Sequence, residues 1–204
     1  IVEVGKAWRE MIHRYLAGGL GLLIAVLSFL AIKNRHQIKV PLYLPLFLVA
    51  LVIFQAALGM WTVTELLKPV IVSLHLIGGM TILGLLTYIT HRHFGTTGLI
   101  VDKNLFLIAR FAILLLFIQI LLGGWTSTNY AALACTDFPT CHGSLIPDMD
   151  FKNGFSIFRD LGLTAEGDSL SIQALHAIQW VHRVGAFILV AYFLFFVYLL
   201  SRYP

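Results

Sequence analysis

Long apolar stretches separated by short polar ones dominate the chain. Five of them, at residues 15–32, 42–64, 69–90, 105–126 and 172–200, are long enough to cross a bilayer. A hydrocarbon core about 30 Å thick needs about 20 mainly apolar residues per helix. None of the five alternates apolar and polar residues with period two, which argues against barrel strands. Pro41 and Pro69 fall at the starts of predicted helices, where a missing N–H costs nothing. The pattern predicts an all-α fold, a polytopic transmembrane helix bundle with five spans.

Composition sharpens this. Of the 204 residues, 59% are hydrophobic and only 12% charged. Soluble domains carry about 45–50% apolar and about 25% charged residues, so too little charge is present to clothe a water-facing surface. Two cysteines are too few for a disulfide scaffold, and the apolar content excludes disorder. The net charge of +4 then reflects topology. No basic stretch interleaved with aromatics suggests nucleic acid, so none is expected as a partner; membrane lipid is.

Short loops rich in Lys and Arg stay in the cytoplasm. The first connection holds Lys33, Arg35 and Lys39, the third holds Arg92 and Lys103 with Arg110 just beyond, and Arg202 ends the last span. The second connection has only Glu65 and Lys68. The fourth, from about 127 to 171, carries Asp137, Asp148, Asp150, Asp160, Glu166 and Asp168 against Lys152 and Arg159. Spans one, three and five therefore run inward, and the long loop lies outside. Cys135 and Cys141 fall in that loop. An oxidising compartment favours a structural disulfide between them; a redox-active pair is the alternative, although a Cys-X-X-Cys spacing is absent. The start at Ile1, with no cleavage-site pattern after it, reads as a piece of a larger protein that has a further span upstream.

Two patterns recur. The first span opens with Glu10-Met-Ile-His13-Arg14 and the fifth with Gln179-Trp-Val-His182-Arg183, each followed by an alanine three residues on. The second span ends with Gln55, Leu58, Gly59, Trp61 and Thr62, and the fourth with Gln119, Leu122, Gly123, Trp125 and Thr126. Small residues on these faces suit close helix packing, and Trp suits the headgroup level. Direct ligand contact is the second reading.

Eight histidines are present. His36, His91 and His93 sit by inside loops, and His142 in the outside loop reads as solvated. His13, His75, His176 and His182 lie toward the outer ends of inward-running spans, where an ionisable residue is a functional hypothesis. A hydrogen-bonded packing role is the plain alternative for any one of them. Their recurrence in all three inward spans favours a metal partner, and heme iron takes axial imidazoles. Gly78-Gly79 after His75, and Gly18, Gly19 and Gly21 after His13, would leave room for a macrocycle. Arg14 and Arg183 could meet its propionates. His176 and His182 stand about 240° apart around one helix, so only one can face a given iron. His182 matches the repeat and is the expected ligand; the role of His176 stays open, a place behind the ligands being one reading. Glu10, one turn before His13, has Gln179 as its counterpart. It is either the acid of a weak pair with Arg14 or a carboxylate that marks one site as reactive.

These strings resemble the heme A synthase family. The resemblance rests on Glu10-Met-Ile-His-Arg-Tyr-Leu-Ala-Gly18, Trp61-Thr-Val-Thr-Glu-Leu-Leu-Lys-Pro69, Leu74-His-Leu-Ile-Gly-Gly79, the run from Gly123 through Trp125 and Cys135 to Cys141, and His182-Arg183. The family has eight spans in two four-helix halves, and the chain looks like its second to sixth. Residues 1–95 would hold the last three spans of the first half. Residues 96–204 would hold the first two of the second half with the long external loop. The resemblance implies an oxidoreductase that converts a methyl group of heme O to the formyl group of heme A, for assembly of terminal oxidases. It places the substrate heme O between His13 and His75, a cofactor heme b on His182 with its partner on a further span, and Glu10 at the reacting site. Cys135 and Cys141 match the family's outer-loop pair. It further implies a bacterial inner (plasma) membrane protein with the cysteine loop periplasmic. Its expected partners are heme O, heme A, heme O synthase and terminal oxidase subunits, and a homo-oligomer is compatible with it. Three other classes compete: a bis-His cytochrome b electron carrier, a thiol–disulfide oxidoreductase, and a transporter or scaffold without heme.

Overall fold

A computed structural model describes residues 3–37, 40–95 and 102–202. Its elements are α1 (Val4–Lys33), α2 (Tyr43–Thr64), α3 (Pro69–Phe94), α4 (Lys103–Thr128), a 3-10 turn (Ala131–Leu133), a short α5 (Phe151–Gly154) and α6 (Ile172–Arg202). Among the described residues there are no strands, only two isolated bridges, Cys141 with Ser144 and Leu163 with Ser169. The five long helices are each apolar and long enough to cross a membrane. The expected all-α polytopic membrane fold is the one observed.

Helix ends differ from the apolar stretches for local reasons. The helix around His13 starts at Val4, so Glu10, His13 and Arg14 all stand on formed helix. Backbone hydrogen bonds can continue into the headgroup region after the apolar run ends. α3 runs on to Phe94 through His91, Arg92 and His93, basic residues of the kind that suit the negative end of a helix dipole. Pro69 is its first residue, as predicted. Asp102 caps α4 by accepting from the Asn104 N–H at 3.3 Å. Lys39, one of the inside-loop charges, lies outside the described residues.

The chain packs as two compact units. The first comprises the described residues among 1–57 and 78–97. Its core is Ile24, Leu48 and Ile82, packed by Val49, Val52, Leu86 and Ile89. The Ser28 hydroxyl donates to the Pro45 carbonyl at 3.1 Å within it. Lipid tails are as apolar as these side chains, so what holds the helices is close packing and such hydrogen bonds rather than water exclusion. The outward residues Leu22, Phe29 and Ile53 are each more than 60% exposed, as lipid-facing positions should be.

The second unit comprises the described residues among 58–77 and 98–204. Here α4 packs along α6, and the Tyr192 hydroxyl donates to the Ile108 carbonyl at 2.8 Å. α6 has 31 residues, about 46 Å at 1.5 Å each, which exceeds the hydrocarbon thickness. Its surplus is at the start. Ala174, His176, Ala177, Ile178 and Gln179 are buried there under the long loop, so these first turns are shielded by protein. In the same unit Lys68 pairs with Glu65 at 2.9 Å and with Asp160 at 3.5 Å. This brings the α2–α3 turn and the long loop to one side, as the alternation of connections requires.

Candidate functional site

Two constructions repeat. In one, Gly59 on α2 lies against His75 on α3: a Cβ at Gly59 would sit 3.2 Å from the imidazole Cε1. In the other, Gly123 on α4 lies against His182 on α6, with the same 3.2 Å. Each glycine removes the side chain that would hold the imidazole away from the helix backbone. The small residues of the Leu-Gly-X-Trp-Thr pattern thus serve packing, and what they pack is the histidine. Thr62 and Thr126 turn inward on their own helices, donating to the carbonyls of Gly59 and Leu122 at 2.7 and 2.8 Å.

A glutamine accompanies the second. Gln119 Nε2 lies 3.0 Å from His182 Nδ1 and also donates to the His182 carbonyl at 3.0 Å. Gly185 makes room for it, because a Cβ there would lie 2.4 Å from Gln119 Oε1. In the first unit the Gln55 side chain fills the space beside Gly78, where a Cβ would overlap its amide. Gly78 therefore houses Gln55 and leaves no room for a macrocycle. Gly79, Gly18 and Gly19 have nothing within 4 Å of a built Cβ, so open space lies over those three.

The donor chemistry at His182 fits an axial heme ligand. The half-buried ring is held at its Nδ1 edge. Metal-bound histidines are oriented in this way through the second ring nitrogen. Iron binding at Nε2 requires the tautomer with hydrogen on Nδ1, so the Gln119 amide, whose Nε2 faces that nitrogen and the His182 carbonyl, would have to turn to present Oε1 and give up its bond to the carbonyl. His75 is half-buried, whereas His13 is exposed on α1 within the first unit. A cavity of about 490 Å³ between α4 and α6 lies toward the helix ends away from His182, and one of about 340 Å³ within the first unit lies toward the helix ends away from His13.

Glu10 and Arg14 form the predicted pair, Arg14 Nη2 to Glu10 Oε1 at 2.5 Å, with both side chains more than half exposed. Their counterparts have a different setting. Gln179 is buried with Oε1 unpartnered. Arg183 donates to three loop carbonyls: Asp137 at 2.9 Å, Thr140 at 2.8 Å and Cys135 at 3.0 Å. The guanidinium also lies 5.6 Å from the Phe138 ring centre. Arg183 thus clamps the cysteine loop, keeping only Nε–H and one Nη2 hydrogen for any further partner.

Cys135 and Cys141 are joined in a disulfide, with both residues under 5% exposed. The ring they close is organised by Asp137, whose carboxylate accepts from the Thr140 hydroxyl, the His142 N–H at 2.6 Å and the Gly143 N–H at 2.9 Å. These bonds hold the Asp137 carboxyl far below the usual range, the Thr140 hydroxyl contributing most. Further along, Trp125 Nε1 donates to the Gly154 carbonyl at 2.9 Å and Trp180 Nε1 to the Leu145 carbonyl at 2.8 Å. Arg159 is buried, donating to Asn129 Oδ1 at 2.5 Å and to the Leu163 carbonyl at 3.2 Å, and its burial lowers its pKa. Trp125, near the end of α4, is therefore a loop tether.

Two histidines have partners that the sequence did not supply. His142 is exposed, as expected, and in addition its Nε2 bonds the Ala134 carbonyl at 3.0 Å and its ring lies 5.0 Å from that of His176. His176 is buried, with Nδ1 3.4 Å from the Asp148 carbonyl. It belongs to the loop rather than to the surroundings of His182. The only sequence signal was the loop position of His142, because the pair spans 34 residues.

The sequence profile of the COX15-CtaA family, described as cytochrome oxidase assembly protein, matches residues 2–204. Similar proteins named heme A synthase include one from Shewanella oneidensis, 43% identical over 200 residues, covering 97% of this chain and 60% of the relative. One from Halalkalibacterium halodurans is 28% identical, covering 85% of this chain and 59% of the relative. Another from Listeria welshimeri is 26% identical, covering 95% and 58%. The chain spans about 60% of the length of these relatives. With a match over almost its full extent and histidines set against glycines on membrane helices, the chain belongs to the COX15-CtaA family of cytochrome oxidase assembly proteins.

Proposed function

We propose that the chain forms the central spans of a heme A synthase, an oxidoreductase that takes heme O as substrate and yields heme A by oxidising a methyl group to a formyl group. The observation that carries this reading is the repeated seating of an imidazole on a glycine, at His75 and at His182, in a chain whose relatives bear that name. In this reading residues 1–95 belong to a first four-helix half and residues 96–204 to a second. His13 and His75 hold the substrate heme in the first half. His182 supplies one ligand of a heme b in the second, and when bound that heme supplies electron transfer. Gln119 orients His182 through its Nδ1 edge. Arg14 and the remaining donors of Arg183 face propionates. The protein is read as residing in a bacterial inner membrane with the disulfide loop periplasmic. Heme O synthase and terminal oxidase subunits are its expected neighbours, and self-association is open to it.

Glu10 is the proposed reacting carboxylate. It can stabilise positive charge that develops at the methyl carbon or accept a proton from an attacking water. The pair with Arg14 holds it on the turn before His13. Glu10→Gln in the full-length protein preserves shape and removes charge. Heme O should still bind, while heme A and its hydroxylated precursor should fall by about a hundredfold, the equivalent of nearly 3 kcal/mol of barrier. Extraction and chromatography of the bound hemes reads this. Equal heme A in wild type and variant would remove Glu10 from the reaction and favour the electron-carrier reading. The thiol-oxidoreductase reading is disfavoured by the burial of both disulfide cysteines, since exchange needs an accessible sulfur.

A further inference from the structure

The outer loop brings together a second pair of histidines, which the heme reading does not use. His142 follows Cys141 in the loop, and His176 stands in the first turns of α6, 8% exposed. Their ring centres are 5.0 Å apart and the planes are inclined by 49°, so the rings are not stacked. Each ring is tied to a backbone carbonyl through one nitrogen: His142 Nε2 to Ala134 at 3.0 Å, His176 Nδ1 to Asp148 at 3.4 Å. A carbonyl can only accept, so these nitrogens carry the hydrogens. The lone pairs are then on His142 Nδ1 and His176 Nε2. The latter is buried and makes no hydrogen bond.

An imidazole anchored by N–H to a carbonyl, with its other nitrogen bare, is the usual state of a metal-ligating histidine. Donor atoms of Cys141, His142 and His176 all lie within 4.8 Å of one another. The Cys141 sulfur is committed to the disulfide and offers no thiolate, which leaves two neutral imidazoles. Hard ions such as Ca2+ and Mg2+ want oxygen ligands, whereas imidazole suits copper and zinc. Nitrogen–metal bonds of about 2.0–2.1 Å place two such nitrogens at most about 4 Å apart across one ion, close to the span within which donor atoms of the two residues lie. His142 is exposed, which gives the ion a path in and leaves positions for water.

We propose that His142 and His176 form a binding site for a single late first-row divalent ion, Cu2+ in preference to Zn2+, at the outer face of the protein and separate from the heme ligands. The preference follows the general order of affinities for nitrogen sites. An ion held there would join the disulfide loop to α6 about one and two-thirds turns before His182, and so fix the start of that helix.

The test uses the full-length protein in detergent, purified with a tag that contains no histidine and stripped with EDTA. Cu2+ and Zn2+ are titrated separately against a chromophoric chelator, and bound metal is counted by mass spectrometry beside heme iron. Wild type should take up one equivalent of Cu2+, with weaker Zn2+, and the Cu2+ electron paramagnetic resonance spectrum should carry splitting from two nitrogens. His142→Asn keeps the buried His176 in place. It should lower Cu2+ affinity at least tenfold while leaving the heme absorption spectrum unchanged. His176→Gln should do the same if it folds. Absence of an extra equivalent in wild type would overturn the proposal, as would unchanged Cu2+ affinity in His142→Asn.

Discussion

At the scale of single residues, the glycines opposite the histidines matter most. A Cβ at position 123 would press on the His182 ring at 3.2 Å, tighter than nearly all ordinary contacts, and the ring must give by a few tenths of an ångström. Gly123→Ala tests small displacement; Gly123→Val adds two γ-methyls and turns a push into an expulsion. The valine variant of the full-length protein should lose most of the heme bound in the second half, read as heme per protein after pyridine extraction. The alanine variant should retain it with a shifted absorption maximum. Full heme content in Gly123→Val would mean that iron does not rest on His182. The repeat of glutamine and glycine around each histidine was legible in the sequence as a pattern, but its purpose was not. Gln55 and Gln119 read as small-residue-face companions, whereas one fills the space at Gly78 and the other grips His182. Such side-chain contacts between helices leave no periodic trace.

At the scale of elements, the spans were readable and the outer loop was not. A span is announced by some 20 apolar residues, a property of the local sequence that no tertiary contact overrides. The loop is held by contacts with partners far away along the chain. Arg183 reaches back to Cys135, Asp137 and Thr140; Trp125 reaches forward to Gly154 and Trp180 back to Leu145. All of these partners are backbone carbonyls, which every residue has, so nothing in their identity marks them. Removing the clamp is informative. Arg183→Gln deletes a charged fork that bonds three carbonyls, each charge-assisted bond being worth about 1.5–3 kcal/mol where one side is left unpaired. With solvent able to replace part of it, a net loss of about 2 kcal/mol is expected. The disulfide should then be reduced faster by dithiothreitol, and the melting temperature should fall, while heme content changes little. Arg183→Lys should recover part of the loss, since one ammonium can meet fewer carbonyls in that geometry. Loss of heme with an equally protected disulfide would instead make propionate contact the main role of Arg183.

At the scale of the whole molecule, orientation is the property that decides whether the chemistry can work as proposed. The disulfide needs an oxidising side, and the proposed metal ion at His142 and His176 needs the outside pool. Lysine and arginine in the first and third connections, against acids in the fourth, argue that the loop is external. The ion pair of Lys68 with Asp160 brings the second and fourth connections to one side, a contact that sequence could not supply, since charge counting sees each loop alone. An even number of crossings must then separate these two connections, which α3 and α4 provide. A reporter joined after Lys103 should be cytoplasmic. One placed in the long loop should be external, and the structure selects the place. Gly154 abuts the Ala174 carbonyl, where even a Cβ would come within 2.8 Å, so an insertion there would unseat the loop. Glu166 and Gly167 lie in an exposed turn and tolerate one. Enzymatic activity of an alkaline phosphatase fused at Gly167, which requires disulfides of its own, together with fluorescence of a cytoplasmic reporter at Lys103, is the expected result. An inactive phosphatase at Gly167 in a stably inserted fusion would put Cys135 and Cys141 on the reducing side. The disulfide, the clamp built around it and the external metal site would then all have to be abandoned together.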